Sequence, residues 1–156
     1  MLQHIISQTH KALIKSSKTI AVAESCTGGL LSAMLTELSG SSKYFTLGIV
    51  TYSNYAKEKI LGIPSSILAS KGAISEEVAK LMAQKVRKLA KTDFGIGITG
   101  IAGPSGGTLR KPVGTVFIAV AAKNKTLCKE FHFTGSRSNI RRKSATETLK
   151  LLKIFS

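Results

Sequence analysis

Acids are scarce in this chain. Of 156 residues, eight are Asp or Glu against 23 Lys or Arg, and Asp93 is the single aspartate. EF-hand loops, two-metal carboxylate clusters and aspartyl dyads all need several acids together, so those chemistries are excluded. Three histidines (His4, His10, His132) and two cysteines (Cys26, Cys128) stand far apart, which leaves no structural zinc spacing. Nothing in this inventory asks for a protein-held metal, and no cofactor is expected. Tryptophan is missing and aromatics make up 6% of the chain, so platforms for stacking nucleic-acid bases are poor. Two distant cysteines fit a reducing compartment.

Long apolar runs are missing too. The longest, Val116 to Ala122, has seven residues, far short of the ~20 that span a bilayer. At the N-terminus Leu2, Ile5 and Ile6 are interrupted by Gln, His and Ser, with no small-residue cleavage site behind them. The reading is a soluble, cytoplasmic protein without a membrane partner. A hydrophobic content of 43% suffices for a packed core. The length matches one domain of ~150 residues, taken as residues 1–156.

The pattern of elements is legible. Leu2, Ile5, Ile6, Thr9 and Leu13 recur at helical spacing. A short buried strand over Thr19 to Ala23 runs into ESCTGG and then a helical face traced by Leu30, Leu31, Met34, Leu35 and Leu38. A strand over Tyr44 to Tyr52 leads to a short helix over Asn54 to Leu61, stopped by Gly62 and Pro64. Ser75 caps a helix with Glu76 and Glu77 in its first turn and Arg87, Lys88 and Lys91 near its end. Phe94 to Thr99 reads as a third strand, Val113 to Ala122 and Thr126 to Phe133 as a strand pair, and the residues after Gly135 as a closing helix anchored by Ile140, Leu149 and Leu152. Early alternation of strands and helices followed by a late hairpin implies a mixed sheet covered on both faces.

Three stretches carry chemistry. Glu24-Ser25-Cys26-Thr27-Gly28-Gly29 sits where a strand turns into a helix, and such an end offers free N–H groups to an anion or oxyanion. The plain alternative is a capped helix and a glycine turn, with Cys26 an inert small residue. Thr99 to Gly107 (TGIAGPSGG) holds four glycines in nine residues after a strand, a backbone cradle for phosphate or carboxylate or else a wide turn. Gly95, Gly97 and Gly100 match the spacing of a dinucleotide fingerprint by chance. They lie within the strand itself, Pro104 follows in place of a helix, and no acid stands about twenty residues on. The third stretch, Tyr52 to Lys57, gains interest by elimination. A hydrolase built on Ser25 needs a base, and His–Asp partners are scarce. A neutral lysine serves, although an ordinary one, with a pKa of about 10.4, is neutral only about once in two thousand at pH 7. All three stretches fall at the carboxyl ends of strands, the edge where open α/β sheets bind ligands.

In their order along the chain, ESCTGG, SGSS, VTYSNYAK, AISEEVA, TGIAGPSGG and KPVGTV resemble the CinA C-terminal domain family, over roughly residues 5 to 150. That family includes nicotinamide mononucleotide deamidases. The resemblance implies a three-layer α/β/α fold around a five-stranded mixed, mostly parallel sheet, in the stand-alone form without the larger N-terminal domain. It further implies hydrolysis of nicotinamide mononucleotide, or a similar small nucleotide, to the nicotinate form and ammonia, with Ser25 as nucleophile, Lys57 as base, and Tyr52 and Thr99 beside them. Thr27, Gly28, Gly29, Gly100, Gly103 and Gly106 are the expected backbone cradle. Arg137 and Arg141, in an R-x-x-I-R pattern, share the expectation of an active-site arginine. Tyr55 departs from the family in being bulky. A homodimer is expected.

The formal charge of +15 supports a competing reading. In it the chain is a non-catalytic protein, associated with competence or DNA damage, that binds nucleic acid or a protein partner through a basic surface. Against this, the basic residues spread from Lys11 to Lys153, and only Arg141, Arg142 and Lys143 cluster.

Overall fold

A computed structural model describes residues 1–155; Ser156, the last residue of the expected domain, lies outside the described residues. The elements are α1 (Leu2–Ser16), β1 (Ile20–Glu24), α2 (Leu30–Leu35), a 3-10 turn (Ser41–Lys43), β2 (Phe45–Val50), α3 (Asn54–Leu61), α4 (Ser65–Lys71), α5 (Glu76–Ala90), β3 (Phe94–Gly100), β4 (Thr115–Ala121), β5 (Thr126–His132) and α6 (Arg137–Phe155). The strands form one sheet in the order β2-β1-β3-β4-β5. β2, β1 and β3 are parallel neighbours, while β3–β4 and β4–β5 are antiparallel. Four of the five strands therefore point the same way, and the expected mixed, three-layer α/β/α architecture is what the chain adopts.

The period-two alternation of the strands divides the core. Ile20, Val22, Ile96 and Ile98 face the layer of α1, α2 and α6, whereas Ala21 and Ala23 face the layer of α3, α4 and α5. On β3 the second face is glycine. A Cβ at Gly95 would run into the carbonyl of Ala83, and one at Gly97 into that of Ala79. These glycines let the α5 backbone sit directly on the sheet, which explains the false dinucleotide pattern. Val78, Met82 and Val86 seal that contact, each fully buried, at about 1.5–3 kcal/mol per side chain.

Three local differences from the sequence reading have simple causes. α4 was not expected, because Gly62 and Pro64 read as a stop; Pro64 instead occupies the N-cap of a new short helix. α2 ends at Leu35, so Leu38 packs on the core from outside it. β2 ends at Val50, which frees Thr51 to Ser53 for the turn into α3. No helix among the described residues is long and apolar enough to cross a membrane.

Candidate active site

The carboxyl ends of β1, β2 and β3 meet at one edge of the sheet. Ser25 follows β1 directly and donates its N–H to the Ile98 carbonyl at 3.0 Å. Lys57 lies one turn into α3. The Ser53 hydroxyl caps that helix by accepting the Ala56 N–H at 3.0 Å, and this start aims Lys57 back beneath the sheet edge. The lysine is 1% exposed. Its Nζ stands 3.0 Å from Ser25 Oγ, 2.8 Å from the Thr51 carbonyl and 3.3 Å from the Tyr52 carbonyl. It forms no ion pair with any described residue. Burial lowers its pKa from the ordinary 10.5 to about 8.

This arrangement accepts the lysine in either protonation state, and a pKa of about 8 makes the neutral form accessible near neutral pH. A neutral amine has two N–H donors and one lone pair. Two of the neighbours are carbonyls, which can only accept, and the remaining one is a hydroxyl able to donate. When protonated, Nζ donates to all three oxygens, Ser25 Oγ included; when neutral, it keeps its two N–H groups on the carbonyls and turns its lone pair to the Ser25 hydroxyl.

A cavity of about 250 Å³ opens on the pair. Tyr52, Thr99, Gly100, Gly103 and Gly106 line it with Ser25 and Lys57, and Arg137 enters from α6. Thr99 is buried, and its hydroxyl donates to the Ala73 carbonyl at 2.8 Å. It thus fixes the 73–74 segment, whose two side chains also face the cavity. Sequence reasoning did not assign residues 73–74 or Ser105 to the site, although they fall within AISEEVA and TGIAGPSGG, two of the stretches that carry the resemblance.

The two arginines do different work. Arg137 donates to the Gly103 carbonyl at 2.8 Å and to the Tyr52 hydroxyl at 2.9 Å, bridging two walls of the cavity. Arg141, one turn later, donates to the carbonyls of Cys26 and Thr27 at 3.2 and 2.9 Å. Arg141, Thr27, Gly28 and Gly29 lie outside the cavity lining. Within that turn the Gly28 N–H is spent on the Ser25 carbonyl and the Leu30 N–H on that of Thr27. Of the two expected cradles, the one on the cavity is therefore the 100–106 loop. Cys26 is buried and its thiol is pushed up to about 12, so it carries no thiolate.

The other candidate bases are elsewhere. Asp93, at the opposite end of β3, accepts the Thr19 N–H at 2.9 Å, which holds its carboxyl below the usual range. His4, His10 and His132 contact Gln8, Tyr44 and Glu130. No group of three or more His, Cys, Asp or Glu suited to a metal occurs among the described residues.

Comparison with known proteins places this site in context. The family model of the CinA C-terminal domain matches residues 2–155. A CinA-like protein of Syntrophus aciditrophicus is 53% identical over 146 residues, covering 92% of this chain and 35% of the relative. One of Geobacter sulfurreducens is 48% identical over 135 residues, 86% of this chain and 33% of the relative. The chain thus spans about a third of the length of the curated relatives it matches. Among solved structures, a competence/damage inducible protein from Agrobacterium tumefaciens superposes with a TM-score of 0.93 at 35% identity, over 97% of this chain and 93% of that one. A competence-damaged protein (CinA) superfamily protein from Escherichia coli gives 0.93 at 33% identity, over 99% and 90%. The chain belongs to the CinA C-terminal domain family.

Proposed function

We propose that this chain is an amidohydrolase that converts nicotinamide mononucleotide to nicotinate mononucleotide and ammonia through Ser25 and Lys57. One observation carries the reading: a buried lysine without an acid partner, its Nζ 3.0 Å from a serine hydroxyl and otherwise in contact with two carbonyls, so that on losing its proton it can accept that of Ser25. Lys57 takes the Ser25 proton as Oγ attacks the carboxamide carbon, which the pyridinium ring makes electrophilic. The tetrahedral oxyanion is held by backbone N–H groups, for which Ala102 and Gly103 on the cavity are the candidates, since the Ile101 N–H is spent on the Thr115 carbonyl. Lys57 then passes the proton to the departing amine, leaving an ester on Ser25 and free ammonia. Water, deprotonated by Lys57, cleaves the ester and restores the serine. Arg137 and the glycine loop are the candidates for the 5′-phosphate, because a guanidinium binds phosphate oxygens in a fork. Cytoplasmic and homodimeric action belongs to the same reading.

The test is ammonia release from nicotinamide mononucleotide by the metal-free protein, beside Ser25→Ala and Lys57→Ala. Turnover by the wild type alone supports the serine–lysine mechanism. Activity surviving in Ser25→Ala overturns the mechanism, and an inactive wild type overturns the substrate.

A further inference from the structure

The Glu24 carboxylate has no part in the steps above, yet it is fully buried beside the nucleophile. It belongs to the same strand face as Ile20 and Val22, where an apolar side chain would cost less, since a buried carboxylate loses several kcal/mol of hydration. Burial indeed pushes its carboxyl above the ordinary range. No cation pairs with it among the described residues. Its contacts are with the turn that follows. Oε1 accepts the Ser32 N–H at 2.8 Å, and the N–H groups of Gly29 and Leu31 and the Thr27 hydroxyl also face the carboxylate. Oε2 closes no hydrogen bond of good geometry among the described residues.

Those N–H groups need an acceptor. The N-cap of α2 is Gly29, a residue with φ +99° and no side chain to cap with. Glu24 supplies that acceptor from the strand side. Arg141 meets the same turn from α6 through the carbonyls of Cys26 and Thr27. The segment after Ser25 is thus held by an anion on the N–H groups of Gly29, Leu31 and Ser32 and by a cation on the carbonyls of Cys26 and Thr27.

We infer that Glu24 is a positioning residue: with Arg141 opposite, its carboxylate fixes the turn so that Ser25 Oγ stays within reach of Lys57 Nζ. The inference rests on the reading of Ser25 as nucleophile. Glu24 acts through backbone, and Lys57 approaches from the layer on the other face of the sheet.

The test compares wild type with Glu24→Gln, which keeps the size but exchanges an acceptor oxygen for an amide donor. It uses nicotinamide mononucleotide turnover, the rate of Ser25 labelling by phenylmethanesulfonyl fluoride, and the thermal midpoint. Glu24→Gln is expected to lower kcat and the labelling rate together by about tenfold or more. KM stays within twofold, and the pH midpoint set by Lys57 does not move. Retention of kcat and labelling within twofold overturns the inference. A parallel rise in KM or a shifted pH midpoint overturns it as well, because a carboxylate acting only on the turn moves neither. If Glu24→Gln does not fold, Glu24→Asp, which keeps the charge but retracts it by one methylene, takes its place. A severalfold loss of labelling in that folded variant supports positioning, and full labelling overturns it. A wild type that is not labelled at Ser25 fails earlier, at the nucleophile itself.

Discussion

The two ends of the sheet both collect lysines, and they put them to opposite use. At the carboxyl ends of the parallel strands, Lys57 is buried with carbonyls and a hydroxyl about it, and its pKa falls to about 8. At the other end, a groove of about 550 Å³ between α5 and the β4–β5 turn is lined by Lys80, Arg87, Lys88, Lys123 and Lys125, without an acid in its lining. There Lys80 reaches out to Glu76 at 2.5 Å, and that hydrogen bond raises its pKa. The groove is twice as roomy as the candidate active site. Neither size nor local charge therefore marks the place for chemistry. What marks it is a single cation deprived of both water and a counter-ion, which makes a proton acceptor of a side chain that elsewhere only supplies charge.

The sharpest way to break this contrast is to remove the acceptor or its hydroxyl. Ser25→Ala is expected to lower kcat by about a thousandfold or more, and Lys57→Met by about 10² to 10⁴. Single-turnover measurements on folded variants check this, and near-normal turnover in either would place the chemistry elsewhere. Next in size is the stability effect of the lysine. Its folded pKa of about 8 lies below the ordinary 10.5, so between these values the unfolded chain binds more protons than the folded one. Stability must therefore rise with pH across that window, by about 3 kcal/mol. Below pH 8 the cost of the buried charge is present in full. Urea unfolding at pH 7 and pH 10 is expected to show the rise in wild type and not in Lys57→Met, with the variant the more stable at pH 7. Within the same pH range, kcat/KM is expected to climb toward a plateau above pH 8.

The smallest effect belongs to the far groove. Replacing Lys88, Lys123 and Lys125 by Ala is expected to change kcat/KM by less than about twofold at 0.15 M salt, where screening acts over ~8 Å. A larger drop would show that the groove takes part in hydrolysis. Weakened, steeply salt-dependent binding of duplex DNA in the same variant would instead support the nucleic-acid reading of the +15 charge.

Legibility in the sequence followed the range of the forces. All five strands were visible because apolar, β-branched runs such as Val116 to Val120 need only their neighbours to be recognised. α4 was hidden because a proline ends one helix and starts another with the same chemistry. The pairing of Ser25 with Lys57 spans 32 residues, which no local pattern encodes; scarcity of acids and the family resemblance suggested it. Arg137 and Arg141 were inseparable because positions four apart share a helix face. Only the fold shows that one meets Tyr52 and Gly103 while the other meets Cys26 and Thr27. Thr27, Gly28 and Gly29 were expected on the cavity but lie outside its lining, where Arg141 donates to the Thr27 carbonyl.

Two of the three contacts that define the lysine come from main-chain oxygens, those of residues 51 and 52. In evolutionary terms this shields the site from point substitution: whatever side chains stand at those positions, the oxygens remain. Vulnerability shifts from the identity of residues to their number. One residue inserted or deleted between β2 and α3 would turn both oxygens away from Nζ at once. Drift among descendants of this chain should accordingly be strict in the length of that turn, with the side chains of Tyr52 and Ser53 held separately by Arg137 and the Ala56 N–H.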